Sequence, residues 1–474
     1  DDSIATVTDP RGATTSYTYG NPYLAEKRPL LVEIAYDPPG TQPGYTTIAD
    51  VPDVSFEYDD LGNRTSMTDG SGTKSYAYDS LSRLTLETKT FSGVTGNFTL
   101  SYTYQISGKL KSITDPFGDA INYNDDKTGR TTSITGSTYA GVSTYASDIE
   151  YRAFGGMKDM TYETNDSSTI SYDYDDALRV SEYKATSTVQ GGGYVRRATY
   201  EYFKDGNIKK VSNLVDSGFD QIYKFNNVGR LISSVSGEKL DNDNEMEKPL
   251  VQTIAYNAFG NMTERTNKIW GEETSFSTSY SNGRKDSGNE IYDKAGNIVD
   301  KTTTANKYER WRFDAAGRNH ETVMRWYRSI PSPTLDQTQT IAKTYDGDGL
   351  NVKRVDTDDW FSTFPTNNSG LKVETEFYVR SSVLSGQTVT KIDDEGEKIV
   401  TFVYGGSGIL AEQRENASWD PPSVFWKHED IVTGGYSKIN KSGYYGGHAE
   451  DSPVRVEYDP LGGEIPLDDP SFDF

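Results

Sequence analysis

Pairs of adjacent aspartates are the first residues of this sequence whose type could do chemistry. Beyond the first two residues of the chain, they occur at 59–60, 125–126, 175–176, 358–359, 393–394 and 468–469. Two carboxylates that face each other across a cleft can hydrolyse a glycosidic bond, one as acid and the other as base or nucleophile. Most of these aspartates fall where the pattern indicates a turn, in which a carboxylate accepts hydrogen bonds from the backbone. We therefore predict a structural role for them and no catalytic residue.

Metal-ligating residue types are present but lack the spacing of a metal site. The sequence has no cysteine and three histidines, His320, His428 and His448. None of the histidines has the spacing of a zinc motif. The segment "YDGDGLNVKRVD" begins like a calcium loop, with Asp346 and Asp348, but its later positions depart from that pattern. An acidic surface loop is favoured for "DNDNE" at 241–245. We predict no metal and no cofactor.

Tryptophan side chains offer another kind of site, because an exposed aromatic face can stack on a sugar ring. Five of the six tryptophans lie beyond residue 300: Trp311, Trp326, Trp360, Trp419 and Trp426. In "ERWRF" and "MRWYR" arginines stand beside them, as in cation–π contacts. Packing within a β-structure is the favoured interpretation, and a carbohydrate-binding surface is the alternative.

The charge of the chain excludes some partners. The formal net charge is −23 over 474 residues, and such a field repels nucleic acid and anionic membranes. No apolar stretch has the length of a transmembrane helix, so we predict no membrane insertion. The first residues, "DDSIATVTDP", lack the features of a signal peptide and an initiator methionine. We expect a processed piece of a longer protein.

A short motif that returns many times indicates architecture rather than catalysis. An aromatic residue followed by a turn that ends in glycine recurs at Tyr58–Gly62, Tyr151–Gly155, Tyr202–Gly206, Phe225–Gly229, Tyr256–Gly260, Tyr292–Gly296, Phe313–Gly317, Tyr345–Gly349, Tyr404–Gly408 and Tyr458–Gly462. Looser copies begin at Tyr78, where Ser82 replaces the glycine, and at Tyr172. We call this unit the YD turn. The residues that we predict to form this structural motif are Tyr58, Asp59, Gly62, Phe225, Gly229, Tyr256, Gly260, Tyr292, Asp293, Gly296, Phe313, Asp314, Gly317, Tyr458, Asp459 and Gly462.

The chemistry of one YD turn predicts the strands around it. In "YDDLG" Asp59 stands first and Gly62 fourth, which is the preference of a type I turn. Glycine can take the left-handed conformation that returns the chain to a strand through a bulge. Before the turn, Phe56 and Tyr58 alternate onto one face of a strand. The chain also contains 34 tyrosines, which suit thin sheets because they are amphipathic. The pattern predicts an all-β chain of repeated antiparallel hairpins.

The repeated Tyr-Asp-x-x-Gly-Arg/Asn pattern resembles the RHS or YD repeats of bacterial polymorphic toxins, Tc toxin encapsulating subunits and animal teneurins. It is carried by "YDDLGNRT", "FNNVGRLI", "YNAFGNMT", "YDKAGNIV" and "FDAAGRNH", and the resemblance extends from about residue 5 to 465. It implies a ribbon that spirals into a curved sheet, which we expect here to be a partial or open shell. We predict one repeat region over 1–474, with irregular excursions near 238–249, 328–339 and 415–450.

The resemblance also implies a function. Such shells enclose and deliver a toxin domain or act at a cell surface. We expect a non-enzymatic shell segment, secreted or displayed on a bacterium, whose partners are an enclosed toxin or other parts of a larger RHS protein. The alternative is an adhesin that binds cell-surface glycans. "EYDPLGGEIPLDDPSFDF" is similar to the approach to the family's self-cleaving core, but Gly463 stands where that core has leucine. No catalytic residue is carried over.

Overall fold

The computed structural model describes residues 4–20, 30–38, 48–163, 167–187, 193–237, 248–286, 288–304, 306–328, 334–362, 368–406, 408–415, 421–440 and 455–466. Residues 238–247 of the excursion predicted at 238–249 lie outside these residues, as do residues 416–420 and 441–450 of the one predicted at 415–450, with Trp419 and His448 among them. The chain forms two compact units. One contains Asp1–Gly118 and Arg284–Thr401, and the other contains Asp119–Gly283 and Phe402–Phe474.

The first unit consists of β-strands from two stretches of the chain. Its strands are β1 Thr6–Thr8, β2 Thr14–Gly20, β3 Leu30–Asp37, β4 Val54–Tyr58, β5 Arg64–Asp69, β6 Gly72–Tyr78, β7 Leu84–Phe91, β8 Phe98–Tyr104, β9 Leu110–Thr114, β24 Arg284–Lys285, β25 Glu290–Tyr292, β26 Ile298–Thr304, β27 Lys307–Phe313, β28 Asn319–Arg328, β29 Thr334–Tyr345, β30 Asn351–Ser362, β31 Asn368–Ser381 and β32 Gln387–Ile392. Strand β33, Lys398–Gly405, crosses the boundary between the two units in sequence.

The second unit is built in the same way. Its strands are β10 Ala120–Asp125, β11 Thr131–Tyr139, β12 Val142–Tyr151, β13 Met157–Tyr162, β14 Ser168–Tyr174, β15 Val180–Ser187, β16 Gly193–Tyr202, β17 Ile208–Asn213, β18 Gln221–Phe225, β19 Leu231–Ser236, β20 Leu250–Tyr256, β21 Met262–Ile269, β22 Glu272–Ser277, β23 Tyr280–Ser281, β34 Gly408–Arg414, β35 Ser423–Glu429, β36 Tyr436–Asn440, β37 Arg455–Tyr458 and β38 Glu464–Ile465. A short 3₁₀ helix spans Ser217–Phe219.

Successive strands pair as antiparallel hairpins. In β4 and β5, for example, Phe56 lies opposite Met67, and the register shifts by a bulge between Glu57 and Tyr58 before the turn. The same bulge precedes the turn between β6 and β7 and the turn between β16 and β17. The predicted all-β fold of repeated antiparallel hairpins is confirmed. A hairpin with the sequence "LSGQ" before its second strand joins β31 to β32.

The cores of the two units are rich in aromatic residues. In the second unit the buried cluster contains Tyr145, Tyr183 and Trp426, all 0% exposed. In the first unit a smaller cluster joins Ile34, Val54, Phe56 and Met67. A tyrosine buries a large ring and can still offer its hydroxyl to the backbone, as Tyr162 does to the carbonyl oxygen of Lys427 at 3.1 Å. No helix among the described residues is long and apolar enough to cross a membrane.

Candidate functional site

Most of the YD turns are held by the carboxylate or carboxamide of their first residue, whereas Arg152 and Phe203 occupy that position in the turns after Tyr151 and Tyr202. At Asp59 one carboxylate oxygen, Oδ1, accepts hydrogen bonds from the backbone N–H groups of Leu61 and Asn63 at 2.9 and 2.8 Å. The other, Oδ2, accepts one from the Asn63 side chain at 2.8 Å. The N–H of Gly62 donates to the Asp59 carbonyl and closes the turn. The five residues therefore satisfy one another locally, before any tertiary contact.

Glycine provides the left-handed backbone conformation that ends the turn. The predicted positions have φ of +85° at Gly62, +76° at Gly229, +89° at Gly260, +94° at Gly296, +78° at Gly317 and +83° at Gly462. Two loose copies keep this geometry without glycine, since Ser82 has φ +57° and Leu178 has φ +61°. The backbone of the turn thus keeps the same conformation in these copies, although a residue with a side chain pays a free-energy penalty at positive φ.

Substituting valine at Gly62 is expected to lower the free energy of unfolding by about 1–3 kcal/mol, because a β-branched residue is strained at positive φ. No other atom lies within 4 Å of a Cβ built at this glycine, so strain is the cause rather than a clash. Urea denaturation followed by circular dichroism measures the loss. Gly193→Val is the matched control, since Gly193 has equally open space and no positive φ. Equal losses in the two variants would contradict the turn argument.

The tyrosine before several of these turns ties its hairpin to the preceding turn. The Tyr78 hydroxyl donates to the carbonyl oxygen of Arg64 at 2.9 Å, and the Tyr202 hydroxyl donates to that of Val180 at 2.7 Å. In both cases the acceptor lies two residues after the last residue of the preceding turn. The same bond joins Tyr104 to Leu84, Tyr151 to Thr131, Tyr174 to Met157 and Tyr345 to Asn319. The tyrosines therefore stack successive turns at a constant offset.

An arginine directly after the turn makes the reciprocal contact with the next turn. Arg179 donates from Nε to its own turn residue, Asp175, at 2.8 Å. Its Nη1 donates to the Phe203 carbonyl of the following turn at 3.3 Å, and its guanidinium carbon lies 4.4 Å from the centre of the Tyr202 ring. Equivalent contacts are made by Arg83, Arg230 and Arg318 with the following turn. We call this arrangement the Arg–Tyr clamp.

Hydrogen bonds hold two acidic residues of the turns, Asp59 and Asp175, in the charged form. Hydrogen bonds from Arg179 lower the pKa of the Asp175 carboxyl, first through the side chain and then through the backbone N–H. The Asn63 side chain is the main cause of a lowered pKa at Asp59. These carboxylates are saturated with internal donors, which favours structure over proton transfer.

The other predicted motif residues occupy turns of the same kind. Asp293 and Asp314 are buried, and they accept hydrogen bonds from Asn297 and Arg318 respectively. Asp459 accepts from the backbone N–H groups of Leu461 and Gly463. The remaining aromatic residues differ in their contacts. The Phe225 ring packs against Phe203, and the Tyr256 ring lies under the guanidinium of Arg230. The Tyr292 hydroxyl accepts a hydrogen bond from the Lys285 N–H, and Phe313 stands directly after a bulge in its strand.

Sequence reasoning missed the role of the arginine after the turn. The pattern contained it as Gly-Arg in "FNNVGRLI" and "FDAAGRNH", so its recurrence was the available signal. The ion pair between this arginine and the aspartate at the start of the same turn could be inferred, because the two residues are four positions apart. Its contact with the next tyrosine depends on how hairpins stack, because Arg179 and Tyr202 are separated by a complete hairpin.

Buried ionic networks are a second feature that the sequence did not indicate. In the first unit Glu87, 1% exposed, pairs with Lys74 at 2.7 Å and accepts hydrogen bonds from Ser382 and Tyr102. In the second unit Arg196 makes a bidentate pair with Glu457, with distances of 3.0 and 2.7 Å. Each network links strands that are far apart in sequence. Charges buried in this way need partners on all sides, so these networks fix the register of packing.

Among the residues that the structure describes, the candidate tryptophans and histidines do not form one site. Trp426 is fully buried in the second unit, which contradicts a surface role for this residue, because its ring fills the core. Trp311, Trp326 and Trp360 lie partly exposed in the first unit. The cation that lies over the Trp326 ring is the ammonium of Lys307, 5.6 Å from the ring centre. Among the described residues, no group of three acidic or histidine side chains is placed to hold a metal ion.

His428 is expected to make the protein less stable as the pH falls. Burial lowers the pKa of its imidazole from 6.5 to about 3, and its Nε2 lies 2.8 Å from the Ser168 hydroxyl. Below pH 6.5 the unfolded chain binds a proton at this histidine while the folded chain does not. The free energy of unfolding therefore falls by up to about 1.4 kcal/mol per pH unit between pH 6.5 and 3. Urea denaturation across this range should show a shallower decline in His428→Gln, and identical slopes would refute the assignment.

Comparisons with known proteins agree with the geometry of the turns. Residues 58–95 match the family model of the RHS repeat. The chain has 14% sequence identity to the structure of a Photorhabdus luminescens Tc holotoxin pore with a mutation in TccC3, with a TM-score of 0.69 over 97% of the chain. No curated protein sequence matches the chain significantly.

Two further solved structures are similar. The TcdB2-TccC3 structure gives a TM-score of 0.50 with 15% identity over 92% of the chain. TcdB2-TccC3 without its hypervariable C-terminal region gives the same TM-score with 14% identity over 92% of the chain. The chain spans 23% of the Tc holotoxin chain, 26% of the TcdB2-TccC3 chain and 25% of the truncated one. Together with the recurring YD turns, these matches show that residues 58–95 carry an RHS repeat and that the chain has the fold of part of these Tc toxin structures.

Proposed function

We propose that residues 1–474 are one RHS-repeat region that serves as a structural shell segment of a larger exported bacterial protein, enclosing a toxin or effector polypeptide. The observation that carries this proposal is the likeness of nearly the whole chain, 97%, to part of a Tc holotoxin. Because the chain corresponds to only 23% of that protein, its partners are expected to be further segments of its own polypeptide or an enclosed domain.

The contacts between turns suit a wall that has to remain intact while it holds another polypeptide. A tyrosine hydroxyl bond and an Arg–Tyr clamp recur from turn to turn, so each hairpin is supported by its neighbour. In repeat proteins most of the stability comes from such nearest-neighbour interfaces. A single layer of this type can extend over a large area with little aliphatic core.

The charged groups of the molecule are used for structure, which supports a function without catalysis. Glu87 is paired with Lys74, and Glu457 is paired with Arg196, in both cases away from solvent. A general acid or base needs a proton-exchanging group within reach of a substrate. Carboxylates saturated by buried cations and backbone donors are poorly suited to that task.

Protease protection in the natural polypeptide that contains this chain tests the proposal. Trypsin digestion followed by mass spectrometry should leave a segment outside residues 1–474 intact under native conditions, because the shell excludes the protease. The same segment should be cleaved rapidly in urea concentrations that unfold the shell. A polypeptide without further segments, or segments cleaved at the same rate in both conditions, would refute the enclosing role.

Location is tested in the same cells. The proposal expects the polypeptide in the culture medium or on the cell surface, where added protease can reach the outer wall. Fractionation with antibodies against residues 1–474 measures this distribution. Retention of all the protein inside intact cells throughout growth would contradict export.

A further inference from the structure

A buried lysine and a buried aspartate of the first unit lie beside each other on one face of the sheet. Asp69 on β5 stands opposite Gly72 on β6, and Gly72 stands opposite Phe91 on β7. Lys89 is two residues before Phe91 on β7, so its side chain projects from the same face. Gly72 contributes no side chain between the two, and Nζ of Lys89 lies 3.5 Å from Oδ1 of Asp69.

Water is largely excluded from this pair. Lys89 is 4% exposed and Asp69 is 9% exposed. The Lys89 ammonium lies 5.7 Å from the centre of the Phe91 ring, and Phe91 in turn packs against Phe98 and Phe377. Burial lowers the pKa of the Lys89 ammonium, although the charge of Asp69 opposes the shift. An amine whose charged form is disfavoured is more readily available as a neutral nucleophile.

The Asp69 carboxyl is held in one orientation by hydrogen bonds to both of its oxygens. Oδ1 accepts from the backbone N–H of Ser71 at 2.8 Å, and Oδ2 accepts from the backbone N–H of Gly347 at 2.8 Å. The Ser71 hydroxyl accepts from the Lys89 ammonium at 2.7 Å and donates to Oδ1 of Asp69. The amine is therefore placed beside the carboxyl group, and the Gly347 N–H points at the oxygen that would carry negative charge in a tetrahedral intermediate.

A second carboxyl belongs to the same cluster. Asp346 is 3% exposed and directly precedes Gly347, whose N–H binds Asp69. Asp346 and Asp69 both line a cavity of about 180 Å³. Burial raises the pKa of the Asp346 carboxyl, and the charges of Asp348 and Asp69 raise it further. A carboxyl with a raised pKa can exchange protons closer to neutral pH, and the cavity has room for a released water molecule.

We propose that Lys89 and Asp69 form an intramolecular isopeptide bond, with Asp346 as the proton carrier. The ion pair first exchanges one proton, which leaves a neutral amine and an Asp69 carboxyl protonated on Oδ1. The Lys89 nitrogen then forms a bond to Cγ of Asp69, and the Asp346 carboxylate accepts a proton from that nitrogen. Asp346 returns the proton to Oδ1 of Asp69, the Cγ–Oδ1 bond breaks, and the oxygen leaves as water. The ammonium and the carboxylate together contain all the atoms of the amide and the water, so no co-reactant is needed.

The bond would join β5 directly to β7 across β6. A covalent link of this kind restricts the unfolded chain and keeps the strands together when heat or denaturant breaks the hydrogen bonds of the sheet. All the groups that take part belong to the first unit. The cross-link therefore does not depend on whether the shell encloses a polypeptide. Each molecule reacts once, so the step is a self-modification rather than enzymatic turnover.

Intact-mass spectrometry of the complete chain under denaturing conditions tests the proposal. The cross-linked chain should be lighter than its sequence by one water, about 18 Da, and digestion should give one branched peptide that joins the segments containing Asp69 and Lys89. Lys89→Arg keeps the positive charge but should abolish the loss of mass. Asp69→Asn should instead lose ammonia, about 17 Da, because the carboxamide then supplies the leaving group.

Asp346→Asn tests the proton carrier. It should slow the rise of the cross-linked fraction after synthesis about a hundredfold, the usual effect of losing a proton-transfer group. The turn itself should persist, because Asn226 and Asn257 hold the same turn position elsewhere in the chain. Asp59→Asn is the matched control, since it makes the same change at the same position of another turn, and it should cross-link as fast as the unmodified chain.

Thermal unfolding of each variant shows whether it is folded, and the mass of the unmodified chain decides the main question if a variant is not. A chain with the full mass of its sequence would overturn the proposal. So would a branched peptide at Lys74 or Lys398 in place of Lys89. Equal rates of cross-linking in folded Asp346→Asn and Asp59→Asn would refute the role of Asp346.

Discussion

Replacing Glu87 with alanine is expected to lower the free energy of unfolding by about 3–5 kcal/mol, the cost of breaking a buried ion pair. The carboxylate is 1% exposed and lies 2.7 Å from the ammonium of Lys74, which is itself 6% exposed. It also accepts bonds from the backbone N–H and the hydroxyl of Ser382 at 2.8 and 2.6 Å, and from the hydroxyl of Tyr102. Alanine would leave a buried cation and several donors without their acceptor.

Chemical denaturation of the Glu87→Ala variant measures this loss. Glu57→Ala is the control, because Glu57 is on the exposed side of strand β4, where substitutions change stability by about 0.5 kcal/mol or less. The double variant Lys74→Met, Glu87→Leu removes both charges and should recover much of the stability. A Glu87→Ala variant as stable as Glu57→Ala would show that the network contributes nothing.

Trp426→Ala is expected to lower the free energy of unfolding of the second unit by about 3–5 kcal/mol, as is usual when a large aromatic residue is removed from a core. The side chain is 0% exposed, and its Nε1 donates to the carbonyl oxygen of Tyr145 at 2.8 Å. Truncation would therefore create a cavity and also leave that carbonyl without its donor. Denaturation followed by circular dichroism gives the change in stability.

The matched control is Trp311→Ala, at a partly exposed tryptophan on a sheet face. Because less of the Trp311 ring is removed from water on folding, Trp311→Ala should lower the free energy of unfolding by no more than about half as much as Trp426→Ala. The stability of Trp426→Phe should lie between that of the wild type and that of the alanine variant, since phenylalanine fills most of the space but lacks the N–H donor. Equal losses at Trp311 and Trp426 would contradict the distinction between core and surface.

The pH dependence at His428 has the same origin as these two effects. Desolvation lowers the pKa of its imidazole to about 3, whereas at Glu87 a buried cation compensates for the loss of water. A buried group without a counter-charge remains neutral, and one with a counter-charge remains ionised. Each buried titratable side chain therefore needs its tertiary surroundings before its charge state is known.

The sequence by itself determined the YD turn and the class of the fold. Asp59, Gly62 and the residues between them contain the donors, acceptors and backbone freedom that close the turn, so the information is local. Alternating residues around the turn then specify strands, and repetition specifies a sheet of hairpins. This is why both the glycine geometry and the all-β fold could be predicted without a structure.

Only the tertiary structure decided which side chains act together. Lys74 and Glu87 meet Ser382 almost three hundred positions later in the chain, and Arg196 meets Glu457 across a similar separation. The tertiary structure also decided which tryptophans are buried: Trp426 lies in a core, whereas Trp326 lies on a sheet face. Such contacts depend on how distant strands pack, and the repeat pattern, which is the same at every turn, carries no signal that distinguishes one distant partner from another.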